Sequence, residues 1–371
     1  MRGEIDGTDS AILELLDRRA SLAAAIGEQK RSLRAAGGKG FTFYDPEREQ
    51  RIFDRLTERP SGRESGHADG GASFPRGAVP FVFREIISAC RSLETSMKIG
   101  FLGPQGTYSQ IAASLAFGRS VEYLDLPTIG EVFDAVFRKR ADCGVVPVEN
   151  SAEGGVLETA DWLLRTELKI RSELILRIDH FLVGKATDIG EVKRVYSHPA
   201  AIAQCRSWLA QNLPGVETVA ARSTSAAAKA TLNDPHSAAI ASRLAAEVMG
   251  LNILRERIQD QGDNATRFVT LADTDGPITG RDRTSLVVSP KDSGHGLLKL
   301  LALLDQAGLE VSRLESRPSS QRSWRYFYFL DFLGHRDEPK VARVIAGISR
   351  LCDSVKILGS YPRAARVSEA T

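Results

Sequence analysis

Four cysteines, three methionines, three tryptophans and six histidines are spread through 371 residues. Cys90, Cys143, Cys205 and Cys352 lie far apart in apolar surroundings, with neither metal-ligand spacing nor disulfide density, and read as reduced core thiols. The histidines form no ligand pattern, so no metal is expected. Long apolar runs are missing as well: the longest are strand-length or broken by charge, so nothing approaches a membrane span and no membrane partner is expected. Neither sign of charge dominates. Forty-nine basic and 47 acidic residues leave a formal charge of +2, and the lack of a long basic run argues against nucleic acid as the main partner. A small anion needs only a local cluster. The opening MRGEIDGTDS has no apolar signal core, so a location in the cytoplasm is expected. What remains, 42% hydrophobic and 26% charged residues, is ordinary globular material in a chain long enough for two to four domains.

The first quarter reads as helical. Ile5, Ile12, Leu15, Leu16, Leu22 and Ile26 recur at intervals of three, four and seven, which predicts one amphipathic helix over 1–34. Arg19 and Lys30 lie about three turns apart and so point the same way. They are either snorkelling cations at the edge of the apolar stripe or an anion site inside a helical bundle. Gly37–Gly40 breaks the helix. Asp45 then caps a second one, with Pro46 at the first helical position and Arg48 and Glu49 on the first turn. Residues 60–77 are glycine-rich and predict a flexible loop. A third helix is expected over Val79–Ser96, with Cys90 on its packed side and Glu94 near the same stripe. Three helices, one about thirty residues long, enclose no compact core, and pairing of the long helices in a dimer would supply the missing half.

From Lys98 the pattern changes. The strand KIGFL runs into GPQGTYSQ, where Gly103 and Gly106 permit a tight turn and Thr107 or Ser109 caps a helix. A helix over Ile129–Arg138 leads to the strand CGVVPVEN, which ends at Glu149 and Asn150. The turn SHPAAIAQC enters a helix bearing Gln204, and ARSTSAAAKA repeats the pattern with Ser223 and Thr224. The stretch GDNATRFVTL passes from a polar turn into a strand through Thr266 and Arg267. Alternating strands and helices with polar residues at the strand ends predict a two-lobed α/β domain around a shared crevice. Beyond Asp282 the order strand, helix, strand, strand, helix, strand is the α+β ferredoxin-like pattern. The chain is therefore read as multidomain, with divisions at 1–96, 97–273 and 283–363.

Particular motifs carry resemblances. The helical segment resembles the all-helical, AroQ-type chorismate mutase domain found at the front of the bifunctional bacterial P-protein. That family's cationic and polar active-site positions fall on Arg2, Arg19, Lys30, Asp45, Arg48 and Glu49. Its third-helix pair falls on Cys90 and Glu94, where enteric members carry Ser and Gln. The central segment is similar to prephenate dehydratase through FLGPQGTYS, VVPVENS, VYSHP with QC, STSAA and NATRFVTLA, five motifs in order. Ala200 stands where members often have Gln. The last module resembles an ACT domain: LESRP at Leu314–Pro318 is intact, whereas the glycine motif is altered, with His295 on the glycine position and Gly296, Leu297 and Leu298 after it.

The resemblance implies two reactions. Chorismate becomes prephenate by a rearrangement that needs no nucleophile, only a site that holds a dianion and stabilises charge on the ether oxygen. Arg19, with Arg2 from a partner subunit, would grip the carboxylates. Lys30 and Glu94 would address the ether oxygen and Glu49 the ring hydroxyl, with Arg48 and Asp45 ordering the site. Prephenate then loses water and CO2 to give phenylpyruvate. Thr266 would assist the leaving hydroxyl, Asn150 and Gln204 would orient ring substituents, and Arg267 with the helix starts at Thr107, Ser223 and Thr224 would meet the side-chain carboxylate. Phenylalanine is the implied effector, at His295–Leu298 and Glu315, Ser316, Arg317 and Pro318. No cofactor is implied, and at least a homodimer is expected. Two rivals stay open: a monofunctional prephenate or arogenate dehydratase with a structural or sensing helical domain, and a non-enzymatic small-molecule binding protein.

Overall fold

The computed structural model describes residues 1–35, 44–58, 74–292, 294–318, 326–364 and 367–368. The break expected at Gly37–Gly40 and most of the glycine-rich stretch lie outside them. The chain divides into two compact units, one of residues 1–98 with 114–123 and the other of residues 99–113 with 124–371.

The first unit holds α1 (Arg2–Ala35), α2 (Pro46–Thr57) and α3 (Val79–Glu94). Helix α2 begins as its sequence dictates: the Asp45 carboxylate accepts the Arg48 backbone N–H at 2.9 Å, and Pro46 takes the position where no N–H is required. α1 and α3 approach closely at Gly27, where a Cβ would lie only 2.8 Å from the Glu94 Cα. A glycine is tolerated in mid-helix there because it lets the two backbones meet. Leu16 and Ile26 of the α1 stripe are half-buried. Ile5 and Leu22 are each 60% exposed and Leu15 is 65% exposed, so these side chains have no apolar cover among the described residues.

The chain continues with β1 (Lys98–Leu102), α4 (Tyr108–Phe117), β2 (Glu122–Leu126), α5 (Ile129–Phe137), β3 (Cys143–Asn150), β4 (Gly154–Gly155), α6 (Leu157–Arg165) and β5 (Lys169–Arg177). The chain crosses into a second lobe with β6 (Phe181–Gly184), β7 (Arg194–Ser197), α7 (Pro199–Gln204), α8 (Arg206–Asn212), β8 (Glu217–Ala220), α9 (Thr224–Ala230), β9 (Ser237–Ala241), α10 (Arg243–Met249) and β10 (Asn252–Arg255). It returns through β11 (Ala265–Ala272). The module that follows comprises β12 (Asp282–Pro290), α11 (Gly296–Gln306), β13 (Val311–Pro318), β14 (Tyr326–Leu333), α12 (Pro339–Leu351) and β15 (Cys352–Pro362), and the short β16 (Val367–Ser368) comes last.

Three sheets result. The first runs β16-β5-β11-β3-β1-β2 with β4 beside β3, the second β10-β6-β9-β7-β8, and the third β13-β14-β12-β15. The two-lobed arrangement follows from β11 inserting antiparallel between β3 and β5 after the excursion through the second lobe. In the third sheet the order 2-3-1-4 is that of a ferredoxin-like domain, as the element pattern predicts. One face of that sheet packs on α11 and α12 through Leu286, Leu300, Leu330 and Ile348. Its other face lies against the first sheet, where Val287, Phe329, Leu358 and Tyr361 share a core with Val146, Val148, Ile170 and Leu271. This second packing matters for the site below.

Candidate active sites

The residues expected to carry the dehydration meet on one rung of the first sheet. β11 pairs with β3 so that Thr266 stands opposite Asn150, and the Asn150 Nδ2 donates to Thr266 Oγ1 at 2.8 Å. One residue further on, the register slips between Arg267 and Phe268, where Pro147 interrupts the opposing strand. Such a bulge bends the strand end that presents the rung.

The orientation of the polar groups follows from the backbone. Asn150 Oδ1 accepts the N–H groups of Ala152 and Glu153 at 2.9 and 3.1 Å, which turns its amide nitrogen towards Thr266 and the Asn264 Oδ1. Asn264 must therefore donate onward, and its Nδ2 reaches Gln204 Oε1 at 2.9 Å. With that oxygen accepting, Gln204 points its Nε2 at Glu153 Oε1, 3.4 Å away, and His180 has to donate from Nε2 to Gln204 Oε1 at 2.8 Å. Burial lowers the His180 pKa, which favours the neutral ring that this tautomer requires. Tyr108 donates to the Asp179 carbonyl at 2.6 Å and lies 3.3 Å from the other ring nitrogen. At the far end Thr266 accepts from Asn150, and its own hydroxyl proton has no acceptor among the described residues. It is free to be given to a ligand.

Arg267 corrects the sequence reading. Successive residues of a strand face opposite sides, so Thr266 and Arg267 cannot both address one ligand. Arg267 is 7% exposed and fully engaged: Nε donates to Glu173 at 2.7 Å, one terminal nitrogen to Asp331 at 2.6 Å and the other to the Tyr361 hydroxyl at 2.7 Å. It faces the third sheet. Thr107 is also occupied, donating to the Leu102 carbonyl at 3.0 Å and accepting from the Gln110 N–H at 3.4 Å. The Ser223 hydroxyl caps α9 by accepting the Ala226 N–H at 3.0 Å, with Thr224 the first helical residue. Ser223 retains a proton to donate.

In the helical unit, Arg19 and Lys30 both reach α3. Arg19 donates to the Ile86 carbonyl at 3.4 Å, and the Lys30 Nζ lies 3.0 Å from Glu94 Oε2. Cys90 is buried one turn before Glu94, and Arg48 is exposed. Glu49 instead pairs with Arg91, whose guanidinium lies 5.6 Å from the Tyr44 ring centroid. Burial pushes the Glu49 carboxyl above its usual range, and the Arg91 charge opposes that shift. Arg2 is exposed seventeen residues from Arg19, roughly 25 Å along a helix rising 1.5 Å per residue, beyond reach of that site in its own chain.

The chorismate mutase type II family model matches residues 1–95 and the prephenate dehydratase model residues 99–276. A bifunctional chorismate mutase/prephenate dehydratase of Aquifex aeolicus is 42% identical over 98% of this chain and 97% of its own. That of Pseudomonas aeruginosa is 38% identical over the same shares. This chain belongs to the bifunctional chorismate mutase/prephenate dehydratases. Among solved structures, the prephenate dehydratase of Arthrobacter aurescens in complex with L-Phe is 35% identical, with a TM-score of 0.67 over 73% of this chain and 93% of its own.

As a bifunctional chorismate mutase/prephenate dehydratase, the chain carries its third sheet as a C-terminal ACT-like domain. There the implied effector residues divide between two faces of β13. Glu315 pairs with Arg313 and packs on Gly155, and Arg317 donates to Asp161 at 2.8 Å, so both face the dehydratase lobe. Leu314, Ser316 and Pro318 lie on the opposite, exposed face. His295 and Leu298 are exposed, Leu297 is half-buried, and Gly296 is the tight position, where a Cβ would lie 2.5 Å from Pro290 Cβ. The altered glycine motif therefore keeps a glycine where packing demands one. Among the described residues no cluster of metal-ligating side chains occurs and no helix is long and apolar enough to cross a membrane.

Sequence reasoning missed Asn264, His180, Tyr108 and Arg91. Asn264 had a signal, since it stands two residues before Thr266 and strand alternation puts both on one face. His180 had none: it meets Gln204 only because the chain crosses between lobes there.

Proposed function

We infer that the protein catalyses both reactions of its family, the rearrangement of chorismate to prephenate and the conversion of prephenate to phenylpyruvate. The observation that carries the second reaction is the Asn150–Thr266 rung, with a hydroxyl proton free to leave towards a ligand. Loss of the prephenate ring hydroxyl needs help from a donor, and the product's aromaticity then drives departure of CO2. Asn150 holds the Thr266 oxygen, and Gln204 with Asn264 supplies further donors to ring substituents. Ser223 and the α9 start remain candidates for the side-chain carboxylate, a role Arg267 does not have. Purified protein given prephenate alone should form phenylpyruvate. Failure to consume it would overturn this reading.

The helical unit is assigned the mutase step. Lys30 and Glu94 address the ether oxygen, Arg19 grips a carboxylate and Glu49 meets the ring hydroxyl, with Asp45, Arg48 and Cys90 shaping the site. Arg2 completes the site of a second copy in a homodimer built on the exposed α1 stripe. Lys30 donates to Glu94 and can donate further N–H groups to the ether oxygen. Glu94→Ala should accordingly lower chorismate turnover at least about tenfold, and a variant as fast as wild type would contradict that assignment. Phenylalanine is the proposed feedback effector, held by the exposed face of the ACT-like domain around Leu298, Leu314 and Ser316. The cytoplasm is the proposed location, in keeping with four free cysteines.

A further inference from the structure

The catalytic rung has a back. Thr266 and Asn150 face the cleft, and the next pair in register, Arg267 opposite Glu149, faces the ACT-like sheet. Arg267 is bound there by Asp331 of β14 and Tyr361 of β15, at 2.6 and 2.7 Å, while Glu173 of β5 takes its third N–H at 2.7 Å. On the opposing strand Glu149 lies 3.6 Å from Arg313 of β13. Both strands that form the rung are thus held one residue away by side chains of the C-terminal sheet. The Arg267 pairs with Asp331 and Glu173 are buried and charged, whereas Glu149 is half-exposed. Burial alone would raise the Asp331 carboxyl, but Arg267 and Arg313 hold it below the usual range. Removing one partner leaves the other charge uncompensated in a dry interior, so this contact fixes its strands more firmly than a surface ion pair would. A hydroxyl that assists catalysis loses rate when it drifts by an ångström.

We propose that Arg267 and Asp331 are positioning residues for dehydration: the ACT-like sheet holds the Asn150–Thr266 rung in its reactive geometry from behind. The inference rests on the assignment of Thr266 as the donor. It makes the C-terminal domain a working part of the dehydratase site, distinct from any effector pocket it carries.

The test is a double-mutant cycle in the full chain. Asp331→Asn should lower the dehydratase kcat at least about tenfold with KM for prephenate within about twofold, while the mutase rate of the same preparation is unchanged. In a Thr266→Ala background the same substitution should change the residual rate by less than about twofold, because Asp331 acts through Thr266. A full multiplicative loss in that background would mean general damage and would overturn the proposal, as would a single variant with its kcat intact. Should Asp331→Asn not fold, Tyr361→Phe removes one hydroxyl from Arg267 with no change of charge. It should lower kcat about threefold at constant KM, and an unaltered kcat overturns the proposal. Thr266→Ala with full activity would instead remove the donor assignment itself, and the proposal with it.

Discussion

Replacing Thr266 by alanine is expected to lower prephenate turnover by about two to three orders of magnitude, the usual worth of a positioned proton donor. The Michaelis constant should move little, because the hydroxyl matters most when the bond to the leaving oxygen stretches. Asn150 donates to Thr266 Oγ1, and among the described residues nothing accepts the threonine proton. Thr266→Ser keeps that hydroxyl and should recover much of the rate. Thr266→Val keeps the shape and removes the proton, so it should behave like the alanine variant. Chorismate consumption by the same preparations is the internal control, since the residues assigned to it belong to the other compact unit. A Thr266→Ala enzyme within threefold of wild type would place the donor elsewhere, with Ser223 next in line.

The mutase assignment makes an equally large prediction. Lys30→Ala and Arg2→Ala should each cost about two or more orders of magnitude in chorismate turnover. Mixed together under conditions that exchange subunits, the two dead variants should recover roughly a quarter of wild-type activity. Half of randomly formed dimers are mixed, and each mixed dimer has one site with both cations intact. The reason is geometric: Arg2 is too far along α1 to serve the Lys30–Glu94 site of its own chain. No recovery on mixing, with dimers confirmed, would mean that Arg2 acts within its own chain or not at all.

How much of this was legible beforehand differs by level. The start of α2 was readable because Asp45 and Pro46 admit little else, and the ferredoxin-like order was readable because each element has its own periodicity. Thr266 and Asn150 stood at strand ends in quoted motifs, and the ladder brings them opposite each other. Arg267 was misassigned because its charge suggested a carboxylate ligand, although its place beside Thr266 on a strand already put it on the other face. The same alternation divides LESRP, sending Glu315 and Arg317 towards the dehydratase lobe and Ser316 away from it. The partners of Arg267 and Arg317, which are Asp331 and Asp161, are distant in sequence and have no local signature. The Arg91–Glu49 pair was hidden for the same reason, joining α2 to α3 across a span no periodicity covers.

The central claim, that one chain performs both steps at separate sites, is tested most directly by a single time course with chorismate as the only substrate. Prephenate and phenylpyruvate would be followed together in wild-type protein and in Thr266→Ala. The account predicts phenylpyruvate from wild type, and from Thr266→Ala prephenate that accumulates at the wild-type rate of chorismate loss. Untouched chorismate in both would contradict it, as would phenylpyruvate formed as fast by the variant as by wild type.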